Sequence, residues 1–168
     1  TDISKLDLYC LVPLNLINLE KQFIHSLNID NINIYFKNSK KFEESDLMES
    51  EWFTKNAWHR MFISSICSNY DKVIYIDPDC MILRNIKPLL NYPNYSPFVA
   101  LVQDDFSSHS ETTFGSSDIP YINDGVFITN INFWIDNHIE DKMLNYIKNN
   151  GQTKFIEQDV ISIFMQPF

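Results

Sequence analysis

An apolar strand runs directly into two carboxylates in the segment Lys72-Val-Ile-Tyr-Ile-Asp-Pro-Asp-Cys-Met-Ile-Leu83. Residues 72–76 form a nearly continuous apolar run, which is typical of a strand covered on both faces of a parallel sheet. The strand ends at Asp77, and Asp79 follows two residues later. Because alternate residues of an extended segment share a face, both carboxylates can turn toward one point.

Strands and helices alternate along the rest of the chain. Further strands are expected at residues 8–12, 32–36, 97–103 and 126–129, with helices at 16–27, at 52–67 and from 139 to near Gly151. The polar segments 37–50 and 104–120 are expected to be loops. This alternation predicts an α/β domain with a mostly parallel central sheet. Binding sites in such folds lie beyond the C-terminal ends of the strands.

Length, charge and cysteine content narrow the class of protein. The 168 residues suit a single domain, and the net charge of −9 argues against nucleic acid as a partner, because that partner needs a basic face. No apolar run approaches the ~18 residues of a membrane span, so a cytoplasmic location is expected. Cys10, Cys67 and Cys80 contain no C-x-x-C pair and are interpreted as small buried hydrophobes in a reducing compartment.

The Asp77–Asp79 pair is a candidate metal site. Two carboxylates held close together repel each other, and a cation between them relieves that repulsion. A hard divalent ion with oxygen ligands suits such a pair. The alternative interpretation is a solvated junction between a strand and a turn, where Asp and Pro are common.

Two other polar motifs precede apolar runs. In Asn123-Asp-Gly125 the glycine would let the backbone approach a ligand, and the Asn123 amide could meet sugar hydroxyls or phosphate. The alternative for this motif is an ordinary turn. The second motif, Glu157-Gln-Asp159, directly precedes the apolar run 160–164. The alternative for this motif is a helix N-terminus, where acidic residues are favourable.

Taken in order, these motifs resemble those of the family 8 glycosyltransferases, the group that includes glycogenin and bacterial lipopolysaccharide galactosyltransferases and glucosyltransferases. That family carries an aromatic-x-Arg helix, a Tyr-Leu-Asp-x-Asp strand end, an Asn-(Ala/Ser)-Gly-Val strand and an Asp-Gln-Asp helix start. The counterparts here are Trp58-His-Arg60, Tyr75-Ile-Asp-Pro-Asp79, Asn123-Asp-Gly-Val126 and Glu157-Gln-Asp159. The resemblance runs from about residue 52 to the end and extends loosely to the N-terminal strand and helix.

The resemblance implies a GT-A fold, which is a Rossmann-like nucleotide-sugar-binding domain, over residues 1–168. It also implies retaining transfer of a hexose, galactose or glucose, from a UDP-sugar to a glycan or a lipopolysaccharide-type glycolipid acceptor. Asp77 and Asp79 would hold Mn²⁺ (or Mg²⁺), and Glu157 and Gln158 would lie near the anomeric carbon as catalytic residues. The implied donor-binding residues are Arg60, Asp77, Asp104, Asn123, Asp124, Gly125 and Asp159.

The chain also departs from the family pattern. Val12-Pro13-Leu14-Asn15 lacks the Asp and the aromatic residue that contact the base in the family. Asp124 replaces a small residue, and Glu157 replaces Asp. The family's third metal ligand is a His in a C-terminal His-x-x-Gly-x-x-Lys segment, and no His follows His138, so we expect the domain to be C-terminally incomplete. The missing segment could also carry a peripheral contact with the inner membrane face.

Two other functions compete with this interpretation. Ile76-Asp-Pro-Asp-Cys80 superficially resembles the motif of haloacid-dehalogenase-type phosphatases, although Met81 stands where that motif normally has Thr or Val. The second alternative is a non-catalytic nucleotide-sugar-binding protein, which the altered base site and the absent His make plausible. Metal-dependent hydrolysis of a UDP-sugar discriminates among the three.

Overall fold

The computed structural model describes residues 6–26, 31–49, 54–92, 97–104, 107–151 and 153–165. The chain divides into two compact units, residues 1–62 and 63–168. Each unit contains a sheet of its own among the described residues. The single domain expected over residues 1–168 stays a prediction.

The first unit contains a parallel pair of strands. β1 (Leu6–Leu11) pairs with β2 (Ile32–Lys37), with Leu6 opposite Ile32 and Leu11 opposite Lys37. Both strands and their parallel direction agree with the sequence prediction. The predicted helix between them begins as a 3₁₀ helix, Leu14–Leu19, and continues as α1, Glu20–Ser26.

Residues 37–50 are not simply the polar loop that we expected. They include α2 (Lys40–Glu43), and its Phe42 is buried. The Phe42 ring centroid lies 3.8 Å from that of His59 and 5.8 Å, edge-on, from that of Phe62. One helical turn around one apolar residue is too short to show a helical period, which explains why the sequence pattern missed it.

The predicted helix over residues 52–67 is tighter than an α-helix in its first part. A 3₁₀ helix spans Lys55–Phe62, and α3 spans Ile63–Ile66. Trp58, Phe62 and Ile63 are buried, and Ile66 is half-buried.

The second unit is built on a three-stranded sheet. β3 (Lys72–Ile76) and β4 (Phe98–Asp104) flank the central strand β5 (Tyr121–Asn130), and both pair with it in the antiparallel sense. β3 and β4 therefore run in the same direction, and β5 is the exception to the parallel arrangement that the sequence predicted. The α/β class itself is confirmed.

β5 is also longer than predicted. It spans ten residues, whereas the apolar pattern predicted only residues 126–129. Asn123, Asp124 and Gly125 therefore lie inside a strand, not in a turn before it. The predicted loop 104–120 contains a helix, α5 (Ser107–Phe114), which is polar except for Phe114 at its end and therefore shows no apolar period.

Helices and aromatic rings cover the sheet. The buried ring of Phe127 stacks on Tyr75 at 4.9 Å and lies 4.9 Å from Phe98. The remaining helices are α4 (Lys87–Leu90), α6 (Ile131–Asp136), α7 (Ile139–Asn150) and α8 (Ile156–Met165). α7 ends at Asn150, and Gly151 follows as its C-terminal cap with a φ of 80° that suits glycine, which agrees with the predicted end of the helix near Gly151.

The cysteines do not all behave as predicted. Cys67 is buried and Cys10 is half-buried, but Cys80 is exposed in the turn after Asp79. The expectation of three buried thiols is therefore wrong for Cys80, because the strand ends before the chain reaches it. Within the described residues, no helix is long and apolar enough to cross a membrane.

Candidate functional site

The backbone of Asp77 is held by the end of the β3–β5 ladder. β3 ends at Ile76, and the Asp77 amide then donates a 2.8 Å hydrogen bond to the Gly125 carbonyl. The chain turns immediately, since the Cys80 amide donates to the Asp77 carbonyl at 3.1 Å. Asp77 is half-buried and Asp79 is exposed. The sheet therefore fixes the first carboxylate, and the second stands on the turn.

Tyr75 holds one oxygen of the Asp77 carboxylate. Its hydroxyl donates a 2.8 Å hydrogen bond to Oδ1 of Asp77. The Tyr75 ring is itself held by stacking on Phe127, with an interplanar angle of 15°. A donor that is locked by packing in this way restricts the rotation of the carboxylate that it contacts.

Gly125 makes room for the other oxygen. A Cβ at position 125 would lie 2.9 Å from Oδ2 of Asp77 and 3.1 Å from Oδ1 of Asn123. The Gly125 amide donates to the same Asn123 oxygen at 3.1 Å. Because the two side chains approach so closely, only glycine fits here, and the side chains of Asp77 and Asn123 form one polar cluster with the Gly125 backbone. We call Asp77, Asn123 and Gly125 the β5 cluster.

An irregularity in β5 shapes this cluster. Ala100 pairs with Phe127, and Val102 pairs with Asn123, so three residues of β5 lie opposite the single residue 101 of β4. Extra residues of this kind bend a strand and redirect its side chains. Asp124 lies within the irregular stretch and is buried, with 2% of its surface exposed. The residues Asn-Asp-Gly are typical of a turn, which is why their place in an irregular strand was not predicted.

The first turn of α8 carries Glu157, Gln158 and Asp159. Asp159 is 2% exposed, and its carboxylate accepts three hydrogen bonds. Oδ1 accepts from the Tyr121 hydroxyl at 2.5 Å and from Thr113 Oγ1 at 2.7 Å, and Oδ2 accepts from the Phe155 amide at 3.0 Å. Asp159 thus joins α5, β5 and the start of α8, and its predicted contact with a donor stays a prediction.

Tyr121 donates the shortest of the hydrogen bonds that Asp159 accepts. Burial, reinforced by the hydrogen bond to Asp159, raises the pKa of the Tyr121 hydroxyl far above its usual value. The phenol therefore keeps its proton at any working pH. Gln158, which precedes Asp159 in the first turn of α8, is half-buried. Because α8 packs on β5, the sheet strand that carries Asn123 also holds the turn that carries Gln158.

The two remaining predicted site residues are placed with less detail. Arg60 lies in the 3₁₀ helix Lys55–Phe62 of the first unit and is buried, with 8% of its surface exposed. Asp104 is the last residue of β4, and its backbone pairs with that of Tyr121. The side chain of Asp104 lies outside the described residues.

Sequence reasoning missed Tyr75, Thr113 and Tyr121. Tyr75 could have been found, because alternation along β3 puts it on the same face as Asp77. Thr113 and Tyr121 gave no signal, since α5 was interpreted as loop and β5 was thought to begin five residues later. Their importance follows from contacts between segments that are distant along the chain.

The donor set at the end of β3 suits a divalent cation. Asp77 and Asp79 offer only oxygen ligands, and the orientation of Asp77 is fixed by Tyr75 and by the space over Gly125. Among the described residues, no group of three His, Cys, Asp or Glu side chains stands close enough to enclose a metal ion. Two carboxylates can still hold such an ion when water or a substrate phosphate supplies the other ligands.

Solved structures that superimpose on this chain include glycosyltransferases. The galactosyltransferase LgtC in complex with donor and acceptor sugar analogues superimposes with a TM-score of 0.67 at 14% identity, covering 95% of this chain and 70% of LgtC. The bifunctional glycosyltransferase WbbM superimposes with a TM-score of 0.66 at 20% identity, covering 89% of this chain and 29% of WbbM. The fold of this chain is GT-A.

The chain belongs to glycosyl transferase family 8, whose model matches residues 11–167. General stress protein A of Bacillus subtilis is 25% identical over 129 residues, which are 70% of this chain and 43% of that protein. A Haemophilus influenzae relative is 25% identical over 117 residues, which are 67% of this chain and 36% of its own length. The chain therefore spans less than half the length of these two relatives.

Proposed function

We propose that the protein is a metal-dependent, retaining glycosyltransferase that moves a hexose, galactose or glucose, from a UDP-sugar to a glycan or glycolipid acceptor. Membership of family 8 supports glycosyl transfer in general. The observation that carries the more specific proposal is the β5 cluster, where Gly125 leaves space for a carboxylate fixed by Tyr75. A carboxylate that is held in place beside a residue without a side chain suits the binding of a metal–diphosphate.

The proposed donor site assigns a role to each predicted residue. Asp77 and Asp79 would hold Mn²⁺ or Mg²⁺, which supplies Lewis-acid stabilisation of the leaving diphosphate. The family resemblance adds Arg60 as a further positive charge for the diphosphate. The Asn123 amide, with Asp104, Asp124 and Asp159 as further donor contacts, would orient the sugar.

The proposed chemistry breaks the bond between the anomeric carbon and the diphosphate oxygen. Positive charge develops on that carbon, and the carbonyl oxygen of Gln158 would stabilise it. An amide is a poor nucleophile, so attack by the acceptor hydroxyl on the face of the leaving group is the simpler route to retention. In that route the hydroxyl proton passes to the leaving phosphate. Glu157 is the candidate nucleophile for a double displacement.

The test is an assay of UDP release from UDP-galactose and UDP-glucose, with and without Mn²⁺. We expect metal-dependent release that is lost in Asp79→Asn, a substitution that keeps size and removes charge. Binding of UDP-sugar with no release in any condition would favour the non-catalytic alternative. If the protein neither binds the UDP-sugar nor releases UDP, the proposal is contradicted. Contact with the inner membrane face stays a prediction, and flotation with anionic vesicles tests it.

A further inference from the structure

Three consecutive apolar side chains are exposed directly after the turn that carries Asp79. Met81 is 82% exposed, Ile82 is 56% exposed and Leu83 is 81% exposed. Single exposed apolar side chains are common on folded proteins, but a run of three on the surface calls for a functional reason. An exposed apolar surface of this kind is typical of a site that another molecule covers.

Hydrogen bonds hold the chain on both sides of this run. Before it, the Cys80 amide donates to the Asp77 carbonyl at 3.1 Å. After it, α4 spans Lys87–Leu90, and the ammonium group of Lys72 donates to the Leu90 carbonyl at 3.0 Å. Anchored segments therefore present the three apolar side chains, which are already exposed and can contact a partner without a rearrangement of the sheet.

The charge of the surrounding sequence indicates the kind of partner. No Asp or Glu occurs between Asp79 and Asp104, although 22 of the 168 residues of the chain are acidic. The same stretch contains Arg84, which is exposed, and Lys87, which is half-buried. We call residues 81–84 the apolar loop, since Arg84 directly follows its three apolar side chains.

Apolar side chains flanked by basic residues suit the interface of an anionic bilayer. The apolar groups enter the boundary of the acyl chains, and the cations meet the lipid headgroups. A second copy of this chain fits less well, because it brings a net charge of −9 and two acidic chains repel each other. Charge complementarity therefore favours an anionic lipid surface as the partner.

We infer that the apolar loop docks on an anionic membrane surface, with Met81, Ile82 and Leu83 among the lipids and Arg84 at the headgroups. The contact lies on residues of this chain, and it begins two residues beyond Asp79. A donor site beside the bilayer would meet the sugar of a glycolipid acceptor at the level of the headgroups. Only this link to the acceptor rests on the proposed function, since the contact itself requires neither donor nor metal.

The test is flotation of the whole chain with vesicles made of equal parts of phosphatidylglycerol and phosphatidylcholine. Donor is absent and EDTA is present, so that no metal bridges Asp77 or Asp79 to a lipid phosphate. We expect the wild type to float with these vesicles and to float less with vesicles of phosphatidylcholine alone. Leu83→Gln should bind the mixed vesicles about tenfold more weakly, because an apolar side chain no longer leaves water.

Ile135→Gln is the matched control. Ile135 is 42% exposed and lies in α6, whose first amide donates to the Asp71 carbonyl at 2.9 Å. Asp71 precedes β3, whereas the apolar loop follows the other end of that strand. Ile135→Gln should therefore bind the mixed vesicles as the wild type does. Leu83→Gln should keep the wild-type urea midpoint, since its side chain is exposed.

Two changes of charge have opposite expected effects on the same binding. Arg84→Glu should weaken it, because the variant places a carboxylate against anionic headgroups. Asp79→Asn should strengthen it in EDTA, because a carboxylate that the headgroups repel is removed. Added salt should reduce both differences, since it screens exposed charges.

The inference is overturned if the wild type does not float with the mixed vesicles, or if Leu83→Gln floats as well as the wild type. A dimeric wild type and a monomeric Leu83→Gln in sedimentation, with neither bound to vesicles, would assign the apolar loop to a second copy instead. Intact flotation of a protein that neither binds nor turns over a UDP-sugar would support the membrane contact and contradict the proposed function.

Discussion

Replacing Gly125 by alanine tests the geometry of the β5 cluster. The new methyl group would lie 2.9 Å from Oδ2 of Asp77, whereas ordinary contacts of this kind begin at 3.4 Å. The Asp77 oxygen must therefore move by about 0.5 Å, and this strains its hydrogen bond to Tyr75. Weakening a hydrogen bond to a charged group costs about 1.5 kcal/mol, which is about tenfold in affinity, so we expect about tenfold weaker binding of UDP in the presence of Mn²⁺.

The same substitution crowds a packed strand, and overpacking of this kind costs about 1–3 kcal/mol of unfolding free energy. Gly115→Ala is the matched control, because its φ of 70° strains an alanine but no atom lies within 4 Å of the new Cβ. Both variants should lose stability in urea, and only Gly125→Ala should lose affinity in calorimetric titration. Equal UDP affinity in Gly125→Ala and the wild type would refute the argument that the cluster binds the metal–diphosphate.

Three further predictions follow from the described contacts. Asp79→Ala should abolish Mn²⁺-dependent UDP binding and leave the urea midpoint unchanged, because Asp79 is exposed; retained binding in calorimetry would remove it from the metal site. Tyr75→Phe should weaken the same binding and cost about 1 kcal/mol of stability, the value of one hydrogen bond, and unaltered titrations would show that Asp77 needs no such support. Burial lowers the pKa of His59 to about 4, so folding keeps the imidazole neutral, and stability should fall as pH drops from about 6.5 toward 4. Between pH 7.5 and 4.5 the wild type should lose roughly 2–3 kcal/mol more unfolding free energy than His59→Phe, and equal losses in urea titrations would contradict this.

The positions of the apolar strands along the chain were predictable, because a buried strand has a local apolar pattern. β3 and the carboxylates that follow it are visible in the sequence, since a buried strand needs an apolar run and its end admits Asp and Pro. The same logic predicted helix α7, because a glycine that can adopt a positive φ, here Gly151, commonly follows the last residue of a helix. The family resemblance rested on four such motifs in order, and the match over residues 11–167 bears it out.

The features that escaped prediction depend on contacts between distant residues. The direction of β5 was not visible, because antiparallel pairing on both sides is decided by the neighbouring strands β3 and β4. Asn123 and Gly125 looked like a turn, since nothing in their spacing reveals an irregular strand. Tyr121 shows its role only when Asp159, 38 residues later, is brought within 2.5 Å.

Glu140 illustrates the same limit in the core. It stands in the first turn of α7 as an apparently solvent-facing acid, yet it is buried. Its carboxylate accepts hydrogen bonds from the Ser64 hydroxyl at 2.5 Å and from the Ser65 amide at 2.7 Å. A buried carboxylate is tolerated because donors from α3 compensate its lost hydration, and those donors lie some 75 residues earlier.

The anomeric configuration of the first product tests the central claim most directly. UDP-galactose and UDP-glucose carry the sugar in the α configuration, and proton NMR reads the configuration of the new glycosidic bond in the product. The measurement uses the 168-residue chain with Mn²⁺ and an oligosaccharide acceptor, with Asp79→Ala as the inactive control. We expect an α-linked product formed only in the presence of the metal. A β-linked product, or equal turnover without metal and in Asp79→Ala, would contradict a retaining transfer supported by the carboxylates at the end of β3.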